Sequence, residues 1–169
     1  GFMLIDQLAE VLSISLQRVK FKAIIGSGKF EGRNIILAKP QTYMNASGES
    51  VGPLSRYFKV PLNQLMVVHD DLDIPFGSLR IRPMGGTSGQ KGMKSIVEKL
   101  GSQDFPRLRI GIGRPPGRMD PADYVLQNFK NDELITRDEV FDKAVAAVKL
   151  FILEGLDKAM NTYNGDSRN

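Results

Sequence analysis

One histidine and three carboxylates, His69-Asp-Asp-Leu-Asp73, follow directly on the apolar run Leu65-Met-Val-Val68. A short, β-branched run of this kind predicts a buried parallel strand that ends in titratable groups. Ligands of open α/β sheets bind beyond the carboxyl ends of the strands. An imidazole there, neutral near pH 7, is a natural proton acceptor, and a carboxylate there can orient or polarise it. Three clustered acids, Asp70, Asp71 and Asp73, are also able in principle to hold a hard cation such as magnesium. A second polar cluster, Lys39-Pro-Gln-Thr-Tyr-Met-Asn-Ala-Ser-Gly48, brings the amide of Asn45 to another junction of strand and loop.

The elements that must carry these groups follow from periodicity. Leu4, Ile5, Leu8, Val11 and Leu12 recur at three and four, which predicts an amphipathic helix ending near Ser13. Phe21 to Ile25 and Asn34 to Ala38 read as strands, with Gly26-Ser-Gly-Lys-Phe-Glu-Gly32 as the turn between them. Those glycines lack the spacing of a dinucleotide fingerprint, and no helix follows. Ser47 to Phe58 reads as a helix, then come the Leu65 strand, a strand over Leu79 to Arg82, a helix bearing Met93, Ile96, Val97 and Leu100, and a strand from Leu108 to Ile112. From Asp132 to Tyr163 an apolar stripe predicts helix broken at Gly155. The fold expected is α/β: a single-domain three-layer sandwich over residues 1–164, with a mixed, mostly parallel central sheet flanked by helices. Residues 165–169 are expected to be a disordered tail.

With 169 residues, 41% apolar and 25% charged, the chain has the composition of a soluble globular domain with a sizeable core. No run approaches the roughly 18 apolar residues of a membrane span. The absence of cysteine excludes disulfides, thiolate zinc sites and thiol nucleophiles. No secretory signal is visible at the first residues, although Gly1 is not an initiator and Phe2 already opens a helical pattern.

Charge is unevenly placed. Between Arg80 and Arg118 nine Lys/Arg face two acids, a local +7 within an overall +4. Such concentration favours a polyanionic partner. Strand alternation puts Arg107 with Arg109, and Arg80 with Arg82, on one sheet face, a rigid surface suited to bidentate phosphate recognition. Between these strands, Gly85-Gly-Thr-Ser-Gly-Gln-Lys-Gly92 lacks the order of a nucleotide P-loop but lets backbone approach a phosphate ester closely.

Taken in order, Lys39 to Gly48, His69-Asp-Asp-Leu-Asp-Ile-Pro75, Gly85 to Gly92 and Phe105-Pro-Arg-Leu-Arg-Ile-Gly-Ile-Gly113 resemble the successive signatures of bacterial-type peptidyl-tRNA hydrolase, and in particular its plastid branch. Members of that family cleave the ester joining a peptide to the 3′ end of tRNA, with a histidine-activated water. The resemblance implies that Asn45 holds the peptide, with Tyr43, Met44 and Lys91 beside it, and that Asp70 orients the catalytic histidine in a cleft rimmed by arginines. It implies that Arg82 and Arg109, joined by Arg107 and Lys94, grip the tRNA. No cofactor, metal or membrane is implied, a monomer is expected, and the setting would be a bacterial cytoplasm or the interior of a plastid or mitochondrion.

Two departures accompany the resemblance. The family's histidine lies in a segment, Gly-x-Gly-Asn-Pro-Gly followed by Arg-His-Asn, just before the residues that match Gly1-Phe2, and residues 1–169 do not contain it. His69 matches the position before the aspartate, and strand alternation opposes its sharing a face with Asp70. Where the family has His-Asn in the glycine-rich loop, this chain has Gln90-Lys91. Impaired hydrolysis by these residues is therefore expected; the alternative is a non-catalytic RNA-binding paralogue such as an organellar intron-splicing factor.

Overall fold

The computed structural model describes residues 1–87 and 89–165; Ser88 of the glycine-rich stretch and positions 166–169 of the expected tail lie outside the described residues. The chain is mixed α/β and divides into two compact units, each assembled from separated stretches.

One unit comprises residues 2–66 and 83–106. Its first helix, α1 (Phe2–Leu12), buries Leu4, Leu8 and Leu12 of the expected stripe together with Ala9, while Ile5 is half-buried and Val11 is exposed. Three antiparallel strands follow: β1 (Arg18–Lys20), β2 (Ala23–Phe30) and β3 (Arg33–Pro40). Ala23 and Ile25 pack with Leu54 of α2 (Gly48–Tyr57), and α3 (Lys91–Leu100) completes the unit.

Two expectations change here. Gly26 to Phe30 is strand rather than turn, paired with Arg33 to Leu37 of β3. Its glycines serve close packing: a Cβ on Gly26 would stand 2.4 Å from the Ser15 carbonyl oxygen, and one on Gly28 would stand 2.7 Å from Ile14 Cγ1. The turn itself is only Glu31-Gly32, both with positive φ, as a two-residue hairpin of right-handed twist requires. A similar turn at Phe21-Lys22, with φ of 47° and 59°, joins β1 to β2 without any glycine. That first strand carries no turn signal of the usual composition and was not foreseen.

The other unit holds Gly1, residues 67–82 and residues 107 onward. Here β4 (Val67–Asp71), β5 (Leu79–Arg82) and β6 (Arg107–Gly111) form a mixed sheet in the order β4-β6-β5, parallel between β4 and β6 and antiparallel between β5 and β6. The short α4 (Pro121–Val125) is followed by α5 (Leu134–Glu154), which buries Val140, Phe141, Ala144, Val145, Ala147 and Val148. Gly155 breaks the helix as its spacing predicts, and α6 (Leu156–Tyr163) follows. Beyond α6, Asn164 accepts the Ile81 N–H through Oδ1 at 2.7 Å and donates Nδ2 to the Ile81 carbonyl at 2.8 Å, completing the outer edge of β5. Among the described residues no helix is long and apolar enough to cross a membrane.

Candidate functional site

The mixed sheet fixes the polar groups by register. His69 lies opposite Arg109 on the parallel side, while Arg80 and Arg82 lie opposite Arg109 and Arg107 on the antiparallel side. Alternation therefore gives His69, Asp71, Arg80, Arg82, Arg107 and Arg109 one face, and Asp70, Leu79, Ile81, Leu108 and Ile110 the other. The four leucines and isoleucines are buried. The two arginine pairs expected from alternation thus meet in one four-arginine patch. Asp70, expected in a cleft rimmed by those arginines, stands instead on the opposite face of this sheet, because odd and even positions of β4 point apart.

The members of the patch differ in environment. Arg82 is exposed, Arg80 is half-buried and donates Nη1 to the Leu79 carbonyl at 3.1 Å, and Arg107 is buried at 3% exposure. Burial, followed by repulsion from Arg109, lowers the Arg107 pKa from its usual value. Arg109 Nε donates to Asp71 Oδ2 at 2.7 Å, and the other Asp71 oxygen accepts the Asp73 N–H at 2.8 Å. Asp73 in turn is bonded by Arg114.

His69 Nδ1 lies 2.8 Å from the Asp70 carbonyl oxygen and donates to it, since a carbonyl only accepts. Burial lowers the His69 pKa against the opposing pull of that bond and of Asp71 and Asp70, which favours the neutral ring. Gly1 packs on β4 at Val68, where a Cβ would stand 2.9 Å from the carbonyl oxygen.

The loop from β4 to β5 is drawn over the end of β6. Gly111 donates to the Ser78 carbonyl, Ile112 to Asp71 and Gly113 to Ile74, at 2.9, 3.0 and 3.0 Å. A Cβ at Gly111 would stand 2.2 Å from the Pro75 oxygen, so only glycine fits. These contacts separate the acids, and among the described residues no group of three or more His, Asp or Glu is placed to share a metal ion. Asp70 lies on the opposite face of β4 from Asp71, and Asp71 and Asp73 are each bonded by an arginine.

In the other unit, Tyr43, Met44 and Asn45 are exposed at a single 3₁₀ turn, Met44–Ala46, that leads into α2. The turn is positioned by close helix packing. Gly48 N–H donates to Ser95 Oγ at 2.8 Å, and a Cβ on Gly48 would stand 2.1 Å from the Ser95 carbonyl oxygen. Met44 rests on the start of α3, where a Cβ on Gly92 would stand 2.5 Å from its Sδ. Gln90 caps α3 through Oε1, accepting the Met93 N–H at 2.6 Å, and directs Nε2 to Met44 Sδ at 3.6 Å. Lys91 and Lys94 are exposed on the first turns of that helix. No sequence signal announced Gln90 as the tie between the glycine-rich stretch and the Met44 turn.

The whole of residues 1–169 matches the family model described as peptidyl-tRNA hydrolase. The chain belongs to the peptidyl-tRNA hydrolase family. It is 52% identical over 165 residues to a mitochondrial peptidyl-tRNA hydrolase of Oryza sativa, covering 97% of this chain and 66% of the relative. It is 50% identical to a chloroplastic one of Arabidopsis thaliana, covering 97% and 57%. It thus spans less than two thirds of either plant relative. A peptidyl-tRNA hydrolase of an Exiguobacterium species is 45% identical, covering 97% and 89%. The crystal structure of the Acinetobacter baumannii peptidyl-tRNA hydrolase superposes with a TM-score of 0.91 at 36% identity, covering 98% of this chain and 84% of that one.

Proposed function

We propose that this chain is the body of an esterase that releases peptides from tRNA by attack of a histidine-activated water. The observation that carries the reading is the placement of Asp70 at the carboxyl end of a parallel strand, beside Gly1. The Asp70 carboxylate would hold the distal nitrogen of a catalytic imidazole and fix its tautomer. Asn45 binds the peptide by its amide, with Tyr43 and Met44 as the exposed apolar border and Lys91 near the acceptor end. Arg82, Arg109 and Lys94 contact tRNA phosphates, and Arg107 supplies charge from beneath. The reaction invokes no metal or cofactor.

His69 is not the base in this reading, since it faces the arginines and is already bonded to the Asp70 carbonyl. Residues 1–169 alone are therefore expected to hydrolyse peptidyl-tRNA poorly. The test compares them with a form carrying the family's Gly-x-Gly-Asn-Pro-Gly and Arg-His-Asn segment before Gly1. The extended form should turn over, and Asp70→Asn within it should lower kcat about a hundredfold or more. Equal turnover by the two forms, or no effect of Asp70→Asn, overturns the assignment.

A further inference from the structure

Four guanidinium groups on one face of two short strands repel one another, and like charges directly opposite in an antiparallel pair are destabilising. Arg80 faces Arg109 and Arg82 faces Arg107 in this way. Arg109 is ion-paired to a carboxylate, Asp71, that is 8% exposed. Both Asp71 oxygens accept an N–H, one from Arg109 Nε and one from the Asp73 backbone. An amide in its place would turn a donor toward a donor. The bond takes only Nε of Arg109, so Nη1 and Nη2 make no hydrogen bond within the described residues, and the side chain keeps 21% of its surface in solvent. A planar fork held along one edge presents the other at a fixed angle.

We propose that Asp71 is a positioning residue for RNA recognition: it holds Arg109 by Nε so that the two Nη groups meet a tRNA phosphate as a preset fork. The inference rests on the RNA-binding reading above. Asp71 does not touch the RNA. Its contribution is to remove, before binding, the rotamer freedom that a long cationic side chain otherwise loses on contact. Because Asp71 follows Asp70 on the same strand, one short segment serves both the ester-cleaving face and the phosphate-binding face.

The experiment is a double-mutant cycle on residues 1–169, measuring binding of deacylated tRNA against salt for the parent chain, Asp71→Asn, Arg109→Gln and the double variant. Each single substitution should weaken binding about tenfold and lower the salt slope by about one, as loss of one phosphate contact does. The double variant should bind no more weakly than Arg109→Gln. Asp71→Glu, which keeps the charge and both acceptors, should retain the full slope. If Asp71→Asn does not fold, Asp71→Glu decides the matter: it should change affinity in the parent chain and not in the Arg109→Gln background. Unchanged or tighter binding by Asp71→Asn, or a further tenfold loss when it is added to Arg109→Gln, overturns the proposal. If Arg109→Gln weakens binding and Asp71→Asn does not, this inference fails while the RNA reading stands. No binding by the parent chain at low salt removes both.

Discussion

The Met44–Asn45 turn and the guanidinium of Arg109 are positioned by opposite kinds of physics. The turn is exposed, and what holds it is shape: glycines 48 and 92 leave just enough room for the Ser95 carbonyl and the Met44 sulfur. Arg109 is held by charge, through a buried carboxylate whose two oxygens are both used. The lesson is that a binding group can be fixed either by denying it space or by giving it a partner, and the two respond to different perturbations. A steric arrangement fails when volume is added. A charged one fails when a partner is neutralised.

The sharpest break in this contrast comes from Gly48→Ala. With a Cβ 2.1 Å from backbone oxygen, α2 and α3 must separate, and thermal unfolding should register a loss of about 3 kcal/mol or more that salt does not alter. Arg109→Met, which keeps the apolar stem, should cost about 2 kcal/mol in denaturant unfolding because it strands the buried Asp71 carboxylate. A ranking with Arg109→Met far above Gly48→Ala would reverse the comparison. Gln90→Ala should cost about 1 kcal/mol as a lost helix cap, and should free the Met44 side chain on the NMR timescale.

The smallest effect concerns pH. His69 has a folded pKa below its unfolded value, so the unfolded chain takes up the proton first as pH falls. Its contribution to stability is complete above the ordinary histidine value of about 6.5 and declines below it. Urea unfolding of the parent chain and His69→Gln at pH 7.5 and 5.5 should show the parent losing more stability on acidification. An equal loss in both would place the titration elsewhere.

Much of this was readable from residue order, for identifiable reasons. The strand Leu79–Arg82 lies where it was read, a helix carries Met93, Ile96, Val97 and Leu100 as their spacing says, and the arginine pairing follows from alternation alone. Glycine was the weak point. In Gly26-Ser-Gly28 it marks a close crossing of chain, whereas in Glu31-Gly32 it marks a turn, and composition does not distinguish the two. Phe21-Lys22 turns with no glycine at all. The unequal fates of Arg107 and Arg109 were equally hidden, since both alternate correctly, yet Arg107 is buried and Arg109 is bonded to a carboxylate 38 residues earlier.

The tie between Asn164 and Ile81 carries one more implication. The strand bearing Arg80 and Arg82 would otherwise offer an open row of main-chain groups to any second strand. A single carboxamide near the end of the chain closes that row by imitating a neighbouring strand at one residue. Chains cut short before residue 164 would keep every group assigned to chemistry and still acquire a sticky margin, so loss of solubility rather than loss of catalysis would be the first symptom of trimming.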